Sequence, residues 1–354
     1  MTTRRIAFWI LAPALLASTA LAQAGKKPNI VILATGGTIA GAAASTTDAG
    51  YQSGAVGVDI LINAVPQMKE LANVKGEQIA SIGSQDMNDE VWLKLGKRVN
   101  ELLASPTCDG VVITHGTDTL EETSYFLDLV VKSDKPVVLT GSMRPSTAMS
   151  ADGPLNIYNA VGIAVDPKAR GRGVLVAVDD DVHSAHDIIK THTTDVATFS
   201  SGEAGLIGGV LFGKTVWFRT PENVHTAKSD LTTGDGKSLP RVDIIYAHAN
   251  MSPDLIAAAV KNGAKGIVIA GVGDGNMTAP AWTEAKKAVQ AGVVVVRSSR
   301  VNGGIIRRNI EVNDDEAGTV ASMELNPAKA RVLLQLALIK SKDAKKIQDY
   351  FDRY

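Results

Sequence analysis

The sequence predicts an α/β protein of two domains, a larger N-terminal one built on a mostly parallel sheet with helices on both faces and a smaller C-terminal α/β one. Three observations predict it. Short β-branched runs alternate with segments of helical period, the alternation stops between about Arg219 and Pro240 and then restarts, and the length exceeds what one ordinary core accommodates.

In chain order, Asn29 to Ala34, Glu77 to Ile82, Val111 to Thr114, Pro136 to Thr140 and Gly173 to Val178 have the length and branching of buried strands. Glu90 to Leu103, Leu120 to Val131 and Pro154 to Val165 lie between them with helical periodicity, the pattern of successive βαβ units. The stretch Ser229 to Pro240 is rich in turn residues and has the look of a linker. After it come strands at Val242 to Tyr246, Gly266 to Ala270 and Val293 to Arg297, with helices at Asp254 to Asn262, Pro280 to Ala291 and Pro327 to Ile339. The expected organisation is residues 27–218 as the N-terminal domain, 219–240 as linker and 241–354 as the C-terminal domain.

Residues 1–22 are set apart as a signal peptide cleaved near 22–24: Arg4 and Arg5 open it, Ile6 to Leu16 is apolar, and Ala20-Leu21-Ala22 or Ala22-Gln23-Ala24 offers a small-residue site. The apolar run is short for a membrane span, so the expectation is export to the periplasm with no membrane attachment after cleavage. Removing a leader with two arginines and no acid takes the formal net charge from -1 to -3. So near-neutral a chain has no electrostatic reason to bind nucleic acid or an anionic surface. The single cysteine, Cys108, cannot close an internal disulfide and sits in a turn entering a strand, away from the expected chemistry.

Two loops carry the strongest chemical signal. The strand at Asn29 runs through Thr35-Gly36-Gly37-Thr38, and the strand at Val111 runs through Thr114-His115-Gly116-Thr117-Asp118-Thr119. Carboxyl ends of parallel strands are where ligands collect, so both threonines point to one pocket. Neither loop suits a phosphate: Gly36-Gly37-x-x-x-Gly41 lacks the Walker lysine and the dinucleotide spacing. Helix capping is expected to occupy at least one of Thr117, Asp118 and Thr119. Gly83-Ser84-Gln85 and Gly141-Ser142 also follow strands, giving four consecutive strand ends with hydroxyl or amide groups able to grip a small zwitterion. Lys190 would lower the proton affinity of the Thr117 hydroxyl if it reached Thr117 and Asp118. Asp179-Asp180-Asp181 with His183 and His186, two histidines whose spacing could put them on one helical face, lacks the spacing of a metal site; no metal and no cofactor are expected. Gly41 to Tyr51, small residues with glycines near the ends, reads as a lid over bound substrate.

These residues carry a resemblance. Ala34-Thr-Gly-Gly-Thr-Ile-Ala40 and Ile113-Thr-His-Gly-Thr-Asp-Thr119, with Asn88, Arg144-Pro-Ser146, Ser150-Ala-Asp-Gly-Pro154, Thr193-Thr-Asp195, Ser298-Ser-Arg300 and Asn326-Pro-Ala-Lys-Ala-Arg331, resemble bacterial type II L-asparaginases and glutaminase-asparaginases from about Pro28 to Tyr354. The resemblance implies hydrolysis of L-asparagine to L-aspartate and ammonia through a threonine acyl-enzyme, with some L-glutaminase activity. It implies Thr38 as nucleophile, Tyr51 on the lid, and Thr117, Asp118 and Lys190 as a second catalytic set. Ser84, Gln85, Asp118 and Asn276 match substrate-binding positions, and Ser142 joins them by its strand end; Asn276 and Glu311 match groups supplied by a neighbouring subunit. The implied assembly is a homotetramer, a dimer of dimers with shared active sites. Asp274 stands where many relatives carry asparagine. A comparable use of both amides is the alternative, and an exported amino-acid-binding protein is the alternative from another class, which predicts no ammonia release.

Overall fold

A computed structural model describes residues 26–43, 45 and 51–354, with Ala43 and Tyr51 as backbone alone. The expected leader and most of the expected lid, residues 44 and 46–50, lie outside the described residues.

The N-terminal strands are β1 (Asn29–Gly36), β2 (Ala42–Ala43), β3 (Tyr51–Gln52), β4 (Asn73–Ile82), β5 (Gly110–Thr114), β6 (Val137–Thr140), β7 (Val174–Val178), β8 (Asp181–Ser184), β9 (Ile189–Lys190), β10 (Phe199–Ser200), β11 (Gly208–Leu211) and β12 (Lys214–Trp217). The helices among them are α1 (Val58–Ala64), α2 (Met68–Leu71), α3 (Asp89–Ala104), α4 (Leu120–Val130) and α5 (Gly153–Val165). The C-terminal domain holds β13 (Val242–Tyr246), α6 (Asp254–Lys261), β14 (Gly266–Gly271), α7 (Ala279–Gln290), β15 (Val294–Ser299), α8 (Asp314–Ala317), β16 (Val320–Ala321), α9 (Pro327–Lys340) and α10 (Ala344–Arg353).

One eight-stranded sheet runs β12-β11-β8-β7-β6-β5-β1-β4, parallel from β7 through β4, and a four-stranded parallel sheet runs β13-β14-β15-β16. The two-residue period of a strand divides each central strand between two cores. Val31 and Leu33 of β1 join the layer of α3 and α4, whereas Ile30 and Ile32 join the layer of α1 and α5. This is why the strands read as continuous apolar runs.

Two features differ from expectation. β8, β11 and β12 extend the sheet as antiparallel strands, each too short to stand out as an apolar run. His183 lies on β8, buried with Nδ1 2.8 Å from Ser201 Oγ, so it shares no helical face with His186; among the described residues no cluster of three metal-ligating groups occurs. The linker stretch after Arg219 packs against the N-terminal domain. Leu231 is fully buried, Ser229 Oγ donates to Leu129 O at 2.6 Å, and Lys132 Nζ donates to Ser229 O and Leu231 O, both at 2.7 Å. Tyr125 Oη donates to the Tyr354 carbonyl at 2.7 Å, and apolar residues of both domains form one continuous cluster.

Candidate active site

β4, β1, β5 and β6 are neighbours in the sheet, so their carboxyl ends place Ser84, Thr38, Thr117 and Ser142 along one rim. Gly36 ends β1 and Gly37 follows it with φ of +112° and +79°, a positive-φ path that a side chain would strain. A Cβ on Gly37 would lie 2.3 Å from Cα and N of Gly116, so the two threonine loops touch backbone to backbone. Thr35 Oγ1 ties them again by donating to Thr114 O at 3.0 Å. Beyond that contact Thr38 opens a short 3-10 turn, Thr38–Ala40, and Thr117 opens another, Thr117–Thr119; the two threonines are 6% and 5% exposed.

Lys190 reaches the second loop from β9. Its Nζ donates to Thr117 Oγ1 at 2.9 Å and to Asp118 Oδ1 at 2.7 Å. An ammonium held against a hydroxyl stabilises the alkoxide form, and the carboxylate fixes the ammonium there. The capping expected of this loop is absent: no side chain caps the turn at Thr117 or helix α4. Each candidate is engaged elsewhere, Thr117 and Asp118 by Lys190, and Thr119 Oγ1 by the Ser84 carbonyl at 2.7 Å.

Ser84 is buried, and its Oγ accepts from the Asp118 N–H at 3.1 Å, which leaves the hydroxyl proton as a donor. Gln85 is exposed and folds back beside Gly83, with Nε2 donating to Asp86 Oδ2 at 3.3 Å. Ser142 turns into its own loop and donates to Arg144 O at 2.8 Å, so it braces a turn that Asp152 also holds through the N–H groups of Met143 and Arg144. Tyr51 opens β3, paired with β2 at Ala43; its side chain lies outside the described residues. Burial pushes His115 down to about 4, and its neutral ring donates from Nδ1 to Gly116 O at 2.7 Å, a structural role.

Asn276 and Glu311 meet on the C-terminal domain, where Asn276 Nδ2 donates to Glu311 Oε2. Arg297 on β15, fully buried, seats both segments by a two-pronged pair with Asp314 at 2.7 Å to each oxygen and by donating to Asp274 O at 2.9 Å. Asp274 accepts from the Arg307 N–H at 3.0 Å and from its guanidinium at 3.3 Å.

Sequence reading passed over Glu121 and Asn326 as site residues. Glu121 Oε2 accepts from the Lys190 N–H at 2.9 Å and Oε1 accepts from Asn326 Nδ2 at 3.0 Å. The available signal was position: Glu121 lies three residues after Asp118 on the same turn and so faces the same way.

The family model "Asparaginase, N-terminal" matches residues 29–223, and "Glutaminase/Asparaginase C-terminal domain" matches residues 241–351. A probable periplasmic L-asparaginase of Haemophilus influenzae is 54% identical over 94% of this chain and 95% of its own. A glutaminase-asparaginase of Pseudomonas fluorescens biotype A is 48% identical over 93% and 91%. The solved structure of a probable cytoplasmic L-asparaginase from Campylobacter jejuni is similar with a TM-score of 0.90 at 48% identity, covering 93% of this chain and 100% of that one.

Proposed function

This chain belongs to the asparaginase family of amidohydrolases, and on that premise we propose that it hydrolyses L-asparagine to L-aspartate and ammonia through an acyl-enzyme on Thr38. The observation that carries the reading is the pairing of the two threonine loops, closed by the Gly37–Gly116 contact and charged by Lys190 on Thr117 and Asp118.

A carboxamide is a poor electrophile, so its hydrolysis requires an activated hydroxyl, a stabilised oxyanion and a proton for the leaving ammonia. Thr38 Oγ adds to the side-chain carbonyl carbon, the C–N bond breaks as nitrogen takes a proton, and water then cleaves the ester to release aspartate. Tyr51 and Glu311 are the proton partners of Thr38; Thr117 and Lys190 serve the proton route or the hydrolytic water. Ser84, Gln85 and Asp118 hold the α-carboxylate and α-amino groups, with Asn276 and Glu311 brought by a second subunit of a homotetramer. Residues 1–22 direct export to the periplasm.

Glutamine is the second substrate. One methylene discriminates by roughly 10–200-fold in a well-fitted pocket, and relatives named glutaminase-asparaginase keep comparable use of both amides as the alternative.

One preparation tests the proposal: protein recovered from the periplasmic fraction, its first residue read by N-terminal sequencing, and ammonia measured with each amide. Release from L-asparagine is expected, with Thr38→Ala lowering kcat by about a thousandfold and Lys190→Ala by about a hundredfold. A wild type that releases no ammonia from either amide would sink the hydrolase reading, and near-normal turnover by Thr38→Ala would remove its nucleophile.

A further inference from the structure

Lys190 sits on the two-residue strand β9 outside the main sheet, where it pairs with Phe199 of β10 and its neighbour Ile189 pairs with Ser200. So short a ladder holds a backbone weakly, yet the ammonium must reach Thr117 to within hydrogen-bond distance. Thr191 and His192 add bonds to Thr198 just beyond it, but the contacts on Lys190 itself come from elsewhere. One turn of chain, Asp118 to Glu121, takes Lys190 at both ends, Asp118 at Nζ and Glu121 at the main-chain N–H. The other oxygen of Glu121 is bound by Asn326, which also caps α9 by accepting from the Lys329 N–H at 3.0 Å. Lys329 in turn, 2% exposed, donates from Nζ to His186 O and Ile188 O, both at 2.6 Å, on the segment leading into β9. Burial pushes this ammonium down to about 8, opposed by the charge of Glu121.

We propose that Glu121 and Asn326 are positioning residues for Lys190, so that the first turn of α9 in the C-terminal domain sets where the N-terminal domain's lysine stands. The inference rests on the reading of Lys190 as catalytic. It adds a cross-domain clamp to the site: both partners of the Glu121 carboxylate are donors, and only an acceptor with two free oxygens satisfies them together.

A double-variant cycle tests this without removing any group that touches substrate. Asn326→Asp keeps an N-cap as good as asparagine, so α9 stays capped, but it faces Glu121 with a second carboxylate in place of a donor. Combining it with Glu121→Gln reverses the polarity: the new amide nitrogen donates to the new carboxylate, and the new amide oxygen still accepts from the Lys190 N–H. Asn326→Asp alone is expected to lower kcat about ten- to a hundredfold with KM within about twofold, and the double variant to recover most of the loss. Hydrogen exchange at the Lys190 amide is expected to quicken in the single variant and slow again in the double. Normal kcat with unchanged exchange in Asn326→Asp, or a double variant as impaired as the single, overturns the clamp. Should the wild type release no ammonia, the hydrolase reading falls, and the exchange cycle still decides the clamp.

Discussion

Gly37 and Gly116 meet where any side chain would collide with main chain, and this one contact brings Thr38 beside the Thr117 loop. Gly37→Ala is expected to lose more than about a hundredfold in kcat/KM, because the methyl must push the loops apart and the backbone at φ +79°, ψ -172° adds a strain of roughly 1–3 kcal/mol. Steady-state kinetics beside a thermal melt check it; a variant with wild-type kinetics would show that the loops need no such approach. Both threonines were legible in the sequence because hydroxyls after glycines at strand ends have a distinctive local pattern. Lys190 was legible only conditionally and Glu121 not as a site residue, since a salt bridge across 72 residues and a main-chain bond across 69 leave no local trace. Capping was misjudged for the same reason. Propensity describes what Thr117, Asp118 and Thr119 can do, while the approach of Lys190 and Ser84 decides what they do.

At the scale of elements, the parallel strands and their helices were legible because burial on both faces writes a continuous apolar run. The antiparallel β8, β11 and β12 were not: four residues each, β8 and β12 partly polar and β11 half glycine, they are strands by pairing rather than by composition. The segment after Arg219 reads as a linker because its residues are turn formers, and Ser229 seats it on α4. The turns carrying Asn276 and Glu311 share a buried cation, Arg297. Arg297→Met is expected to cost about 3–5 kcal/mol, since it leaves Asp314 buried without its partner. Urea unfolding at neutral pH measures this, and an undiminished midpoint would mean that the turns are held by other contacts.

At the scale of the molecule, the two domains share an apolar cluster and the clamp of Glu121, Asn326 and Lys329, so the second domain supports the first domain's site within one chain. The proposed contribution of Glu311 is different in kind, because it comes from another chain. Co-expressing Thr38→Ala with Glu311→Ala, each inactive alone, is expected to restore about a quarter of wild-type activity, as one site in each mixed pair regains both groups. No recovery in purified mixed oligomers would place Glu311 at its own chain's site. The sequence by itself determined the α/β class, the order of the principal strands and helices, and the polar rim, because apolar period and strand-end loops are local properties of the chain. Only the tertiary structure decided which of those loops meet, that Lys190 reaches Thr117, and that α9 stands behind it, because contacts between residues far apart in sequence are set by how sheets and helices pack.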